Sequence, residues 1–204
     1  NLDAIIAING DYYSKTDKCK VVLRQSQQVR NAADGTMDLL VIDKNGDFTA
    51  LEKCTRAQYN EYLDAYENGM YNVFCFGPVL VRDGGSVVAA DYKNGSVGAQ
   101  NATQRSAIAQ LGTLEYMIIS CSSDQASSGK DKGMTLQEFA YVCQEAGKKL
   151  SENGCVLCYN LDGGNSATMN FKVRNGAGEL KYTKINPGQE RFLSDIIYFA
   201  TLVQ

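Results

Sequence analysis

Histidine and tryptophan are absent from this chain of 204 residues, and proline occurs only twice. Without histidine there is no Ser-His-Asp or Cys-His activation of a nucleophile, no imidazole general base and no imidazole metal ligand. Chemistry must therefore run on carboxylates, arginine, lysine, tyrosine, serine or cysteine. No run approaches the roughly 18 apolar residues of a membrane-spanning helix. A net charge of −3 lacks the basic balance that nucleic-acid binding calls for. Seven cysteines are present, an odd count that leaves at least one thiol unpaired. Cys155 and Cys158 have the spacing of a zinc knuckle or redox pair, but neither a second close pair nor a histidine accompanies them. Buried thiols, or one or two disulfides, are the readings that remain.

What is present is an ordinary globular composition, 44% apolar. Many short apolar runs alternate with turn residues, and two segments carry helical signals. Thr55 to Asn68 has a capping box, Thr55 with Gln58, and an Asn68-Gly69 stop. Thr135 to Asn153 has Thr135 with Glu138, one apolar face through Leu136, Phe139, Ala140, Cys143 and Leu150, and Gly154 as its end. Strands are expected at Leu2–Ile8, Lys20–Val29, Met37–Ile42, Phe48–Leu51, Tyr71–Phe76, Val79–Val81, Val87–Tyr92, Leu114–Ser120, Cys155–Leu161 and Ile196–Val203. Phe171–Val173 and Lys181–Ile185 read as a hairpin. The pattern predicts one α+β domain over 1–204, with a mixed, mostly antiparallel sheet core and two main helices. The passage from Leu114 through the second helix to Leu161 suits one parallel crossover. Asn1 is not methionine and a strand begins at once, so a leading segment such as a signal peptide is expected ahead of it.

The stretch from Cys155 to Met169 organises these expectations. An apolar run ends abruptly in Asp162-Gly163-Gly164-Asn165-Ser166. Paired glycines allow positive φ and close approach of backbone to a ligand, and successive N–H groups there can form an anion-binding concavity. Asp-Gly between apolar runs is equally a hairpin signal. The first strand ends in the same grammar, Asn9-Gly10-Asp11, so the two ends read either as two walls of one site or as unrelated turns. Arg105 opens a strand behind a polar loop, which suits a solvated rim charge or anion binding. The loop 122–133 has a composition suited to moving over a site. Asp43-Lys44-Asn45-Gly46-Asp47 is a turn that lacks an EF-hand's ligand set. Sequons stand at Asn94 and Asn101.

Taken in order, Asn9-Gly10-Asp11-Tyr12-Tyr13, Phe76-Gly77-Pro78-Val79-Leu80-Val81, Arg105-Ser106-Ala107-Ile108, Gly133-Met134-Thr135-Leu136, Asn160-Leu161-Asp162-Gly163-Gly164 with Ser166, and Arg191 resemble the phosphodiester glycosidase family. That family includes a lysosomal enzyme that removes a capping N-acetylglucosamine from mannose 6-phosphate tags, and bacterial members linked to exopolysaccharide metabolism. Asp11, Tyr13, Ala109 and Asn165 depart from the pattern typical of it.

The resemblance implies hydrolysis of a sugar-1-phosphodiester at the anomeric carbon, with no cofactor. Its substrate would be a sugar phosphate or phosphoglycan, met outside the cell or at its envelope. A phosphodiester leaves readily, so the site needs a carboxylate near the anomeric carbon and a charge partner for the departing phosphate. Asp162 is the candidate for the first role, with Asp11 and Asp195 as weaker candidates for a partner. Arg105 and Arg191 are candidates for the second, since a guanidinium fork matches phosphate oxygens. Gly163 and Gly164 would offer N–H groups, and Asn9, Gly10, Asn160 and Ser166 would line the substrate. Asp195 can instead pair with Arg191, four residues away. Two other readings stay open. One is a glycan- or phosphate-binding module without turnover. The other is a Ca²⁺ or Mg²⁺ site on Asp11, Asn160 and Asp162 that assists phosphodiester cleavage.

Overall fold

The computed structural model describes residues 4–11, 19–66, 69–88, 98–123, 132–185 and 192–200. Its middle layer is a five-stranded sheet in the order β10 (Glu115–Cys121), β9 (Arg105–Gly112), β11 (Leu157–Leu161), β7 (Val79–Arg82), β8 (Gly85–Ser86). Alternation along its two inner strands decides the layering. Ala107, Ala109 and Cys158 face a cluster completed by Leu136, Phe139, Ala140 and Cys143 of helix α2 (Leu136–Leu150). Ile108, Leu157, Tyr159 and Leu161 face the opposite way, into a second cluster. A strand apolar on both faces is why Cys155 to Leu161 reads as a near-continuous hydrophobic run.

The second cluster is closed by two further sheets. One runs β13 (Leu180–Ile185), β12 (Met169–Arg174), β1 (Ala4–Asn9), β14 (Ile196–Ala200) and contributes Ile8 and Met169. The other runs β3 (Gln27–Asn31), β2 (Val21–Arg24), β6 (Met70–Phe74), β4 (Leu39–Asp43), β5 (Phe48–Leu51) and contributes Leu40, Phe48 and Phe74. Helix α1 (Arg56–Ala65) covers the outer face of that sheet, burying Tyr59 against Val21, Leu23, Val41 and Val73. Both helices start with the capping boxes that the sequence predicts, Thr55 with Gln58 and Thr135 with Glu138. No described helix is long and apolar enough to cross a membrane.

The α+β class with two main helices is therefore present, and every strand pair among the described residues is antiparallel. The crossover takes a particular form. β10 and β11 each pair antiparallel with β9, so they run the same way with β9 between them and α2 as the link. The strand expected at Lys20–Val29 is instead the hairpin β2–β3. Its turn, Gln25-Ser26, has φ of 50° and 64°. Positive φ at both positions is the hairpin geometry usually marked by Asn-Gly, and Gln-Ser does not advertise it. The strand expected at Val87–Tyr92 is absent at Val87 and Val88, and its remainder falls outside the described residues, as do Asn94 and most of the 122–133 loop.

All seven cysteines are free thiols. In the Asp43–Asp47 turn, Asp43 Oδ1 accepts N–H groups of Asn45 and Asp47, at 2.8 and 2.9 Å. Gln110 holds Asp47 Oδ1 at 2.8 Å. This turn is tied together by its own backbone.

Candidate active site

Three strand ends meet at one point. The N–H of Asp162, just past β11, donates to the carbonyl of Gly10, just past β1, at 3.1 Å. The N–H of Gly10 donates to the carbonyl of Asp195, just before β14, at 3.2 Å. Asn9 locks the junction from inside: its Nδ2 donates to the Asp162 carbonyl at 2.7 Å and its Oδ1 accepts the Thr168 N–H at 3.1 Å. The strand ends Asn9-Gly10-Asp11 and Asn160 to Gly164 are thus hydrogen-bonded neighbours. A Cβ on Gly10 would press on the Asp195 carboxylate, which would have to move aside.

Asp162 is 7% exposed, and its Oδ1 accepts the N–H of Gly163 at 2.9 Å. The following 3-10 turn, Gly164–Ser166, holds Gly164 at φ +57°. Gly164 N–H donates to the Gln104 carbonyl at 2.8 Å, and a Cβ on Gly163 would stand 2.8 Å from that same oxygen. The two glycine amides expected to meet a phosphate are therefore engaged within the protein, one on a carboxylate and one on a carbonyl. Ser166 is buried beneath the turn, with its N–H on the Gly163 carbonyl at 3.1 Å.

Asn160 lies on β11 two residues before Asp162. Its Nδ2 donates to the Gly77 carbonyl at 2.7 Å, while its buried Oδ1 meets no partner among the described residues. Ser106, in register with Leu161 on the neighbouring strand, likewise buries an unpartnered Oγ. A buried acceptor without a donor is costly unless something else completes it.

Arg105 sits differently from either sequence reading. It is 2% exposed, and its guanidinium donates to the carbonyls of Met134 (2.9 Å), Gly98 (3.0 Å) and Asn101 (2.8 Å). Burial lowers its pKa. With only donors to offer, a buried guanidinium is satisfied by whatever carbonyls surround it; here it fastens the loop ahead of β9 to the start of α2. Arg191 lies outside the described residues.

The charged centre of the site is one that the sequence does not flag. Arg24, at the end of β2, places Nη2 2.8 Å from Asp11 Oδ2 and Nε 2.9 Å from Asp195 Oδ2, with a further contact from Nη2 to the same Asp195 oxygen. Its guanidinium also lies over the Phe74 ring, 4.1 Å from the centroid. Asp195 thus pairs with Arg24, and its Oδ1 accepts the Asp11 N–H at 2.8 Å. Asp11 is 3% exposed; its Oδ1 accepts the Cys75 and Phe76 N–H groups, both at 2.9 Å. Burial pushes its carboxyl up to about 6, with Arg24 pulling against this and Asp195 adding to it. Burial works against the charge on Arg24, but the two carboxylates outweigh it and raise its pKa. The sequence signal was thin: one arginine closing an apolar Val21-Val22-Leu23 strand.

The metal reading draws on Asp11, Asn160 and Asp162. In the structure both Asp11 oxygens already take N–H donors, and among the described residues the group of three cysteine and carboxylate ligand atoms within 4.8 Å of one another is that of Asp11, Cys19 and Cys75.

With this geometry in place, comparison with known proteins gives one decisive match. The sequence pattern of the phosphodiester glycosidase family covers residues 3–200. The chain belongs to the phosphodiester glycosidase family. No curated protein sequence matches it. Among solved structures, it resembles the zebrafish N-acetylglucosamine-1-phosphodiester alpha-N-acetylglucosaminidase catalytic domain, auto-inhibited by its pro-peptide. The TM-score is 0.67 at 17% identity, covering 98% of this chain and 64% of that one, so this chain spans less than two thirds of the other's length. A hypothetical protein from Synechocystis is also similar, with a TM-score of 0.47 at 15% identity, covering 87% of this chain and 48% of that one. At 17% identity the likeness to the zebrafish domain is one of fold.

Proposed function

We propose that this member of the phosphodiester glycosidase family hydrolyses a sugar-1-phosphodiester, with Asp162 acting at the anomeric carbon and free sugar as a product. The observation that carries this reading is the backbone anchoring of Asp162. Its N–H on Gly10, its carbonyl on Asn9 and its Oδ1 on Gly163 hold the carboxylate at the meeting point of three strand ends. A group fixed in this way costs little further ordering when substrate arrives. Asp162 would serve either as nucleophile or as base for water, the two roles that carboxylates take in glycoside hydrolysis. The unpartnered Oδ1 of Asn160 suits a sugar hydroxyl, which would supply the donor it lacks.

The phosphate is a stable leaving group, so its departure needs charge stabilisation more than protonation. Arg191 remains the proposed partner for it. Arg24 is committed to Asp11 and Asp195, and Arg105 to carbonyls. Arg24, Asp11 and Asp195 act as positioning residues, fixing Gly10 and through it Asp162. The substrates in view are envelope or capsular phosphoglycans and nucleotide sugars, met outside the cytoplasm.

The test is release of free sugar from a panel of sugar-1-phosphodiesters, UDP-N-acetylglucosamine included, by wild type beside Asp162→Asn. Asp162-dependent sugar release supports the reading. Phosphate-side products without free sugar would replace it with phosphodiester cleavage, and bound ligand without turnover would make the chain a binding module.

A further inference from the structure

Cys19 and Cys75 come together beneath Asp11. Their sulfurs are 3.3 Å apart, from positions 56 residues apart in the chain. The Cys19 thiol also reaches Asp11 Oδ2 at 3.6 Å, while the Cys75 N–H donates to Asp11 at 2.9 Å through Oδ1 and 3.2 Å through Oδ2. Both cysteines therefore touch the same carboxylate, Cys19 through its thiol and Cys75 through its backbone N–H. The two differ in access: Cys19 is partly exposed, whereas Cys75 is buried. The other thiol cluster, Cys143, Cys155 and Cys158, lies at 0% exposure under α2 and offers no entry to an oxidant. A metal ion is a poor occupant of the Asp11 group, because Arg24 brings its positive charge to 2.8 Å from Asp11 Oδ2.

We propose that Cys19 and Cys75 form a reversible disulfide that loosens the hold on Asp11 and so lowers turnover at the adjoining site. This regulation rests on the glycosidase reading above.

The oxidant is a small-molecule or protein disulfide. Cys19, the accessible thiol, attacks one sulfur of the reagent, forming a mixed disulfide and releasing one reagent thiol. Cys75, already in contact, then attacks the Cys19 sulfur and displaces the second reagent thiol. Two thiols are oxidised, the reagent's S–S bond takes the two electrons, and the two protons end on the released thiols. The side-chain hydrogen bond with Cys75, together with burial and the nearby Asp11 charge, holds Cys19 in its protonated form, so capture is slow at neutral pH and quickens as pH rises.

Closing the bond brings the sulfurs nearer by about 1.2 Å, to the roughly 2.05 Å of a disulfide. It also removes the thiol hydrogen that faced Asp11 Oδ2. The Cys75-Phe76-Gly77 segment that must shift is the one that supplies two N–H groups to Asp11 and a carbonyl to Asn160.

The experiment treats the whole chain with oxidised glutathione and follows three readouts: non-reducing peptide mapping, amide exchange at Cys75 and Phe76, and sugar release. The expected result is a Cys19–Cys75 cross-linked peptide, faster exchange at both amides and a severalfold fall in turnover. Dithiothreitol should reverse all three, and Cys19→Ser and Cys75→Ser should each abolish the cross-link. A glutathione adduct that persists on Cys19, a cross-link elsewhere, or a Cys19–Cys75 cross-link with unchanged amide exchange would overturn the proposal. A cross-link with altered exchange in a chain that releases no sugar when reduced would refute the glycosidase reading and the effect on turnover, while leaving the disulfide established.

Discussion

Arg24 and Asp11 form the best-buried ion pair among the described residues, Nη2 to Oδ2 at 2.8 Å, with the Asp11 side chain 1% exposed and that of Arg24 22% exposed. Arg24 is also the bridge to Asp195. Removing it would leave two neighbouring carboxylates, one of them deeply buried, without their counter-charge. Breaking such a pair from one side costs roughly 3–5 kcal/mol, mostly as the penalty on the charge left behind. Arg24→Ala should therefore lower the urea midpoint clearly. The Arg24→Ala/Asp11→Asn double variant should recover part of the loss, because the stranded charge is gone. A double variant no better than the sum of the two singles would mean the pair is not coupled.

Asp11 also sets a pH dependence of stability. Its carboxyl is raised from 3.8 to about 6 on folding, chiefly by burial. Between those values the folded chain holds a proton that the unfolded chain has lost. This contribution is thus fully present below pH 4 and is lost as pH rises through about 6. Asp11→Asn cannot titrate, so the difference in urea midpoint between wild type and variant should change over pH 4 to 7, with wild type losing ground as pH rises. A difference that stays flat across that range would show that Asp11 ionises normally in the folded state.

How much of this was readable in advance follows from where each interaction lies along the chain. The helices were legible because their signals are local: Thr135 and Glu138 are three residues apart and cap α2 themselves. The Asp162 turn was legible through Gly164, whose φ of +57° is a local demand for glycine, whereas Gly163 answers to the distant Gln104 carbonyl, which its neighbours do not reveal. The charged centre was not, because Arg24 meets Asp195 across 171 positions, and neither residue's neighbours reveal it. In sequence the nearest arginine to Asp195 is Arg191, which offers one of two readings of that carboxylate and lies outside the described residues. Arg105 was legible as a special position but not in its partners, since three carbonyls of the 98–101 loop and Met134 carry no side-chain signature. The β2–β3 hairpin is not legible because its positive-φ turn is built from Gln25 and Ser26.

Gly163 is the position where a single methyl group should do most harm to the site. Its φ is an extended −119°, so conformational freedom is not the issue. The obstacle is space, because an added Cβ would lie 2.8 Å from the Gln104 carbonyl and 3.9 Å from the Arg105 Cα. Backbone atoms held in a strand junction cannot turn aside as a side chain would. Gly163→Ala should cost about 1–3 kcal/mol by overpacking. It should also depress turnover by displacing the N–H that holds Asp162 Oδ1. Thermal unfolding and sugar release together test this; an alanine variant with wild-type Tm would mean that the turn relaxes freely.

Asp162→Asn separates the chemistry from the fold. The strand-end junction is made by the backbone of Asp162, whose N–H and carbonyl meet Gly10 and Asn9, and an asparagine keeps both. Its Oδ1 can still accept the Gly163 N–H. The variant should therefore unfold within about 1 kcal/mol of wild type, a typical net worth for one altered hydrogen bond. An amide can neither attack an anomeric carbon nor take a proton from water. Turnover of a sugar-1-phosphodiester should fall roughly 10²–10⁴-fold if Asp162 serves as general base, and at least as far if it is the nucleophile, with KM little changed. Azide then distinguishes the two roles on an Asp162→Gly variant. A nucleophile's loss leaves room for azide to attack from the vacated side and give a sugar azide of inverted configuration. Loss of a base gives the same inversion only where wild type itself inverts, so the anomeric configuration of the wild-type product must be read alongside. Turnover within tenfold of wild type in Asp162→Asn would remove Asp162 from the reaction and leave the carboxylates bound to Arg24 as the next to test.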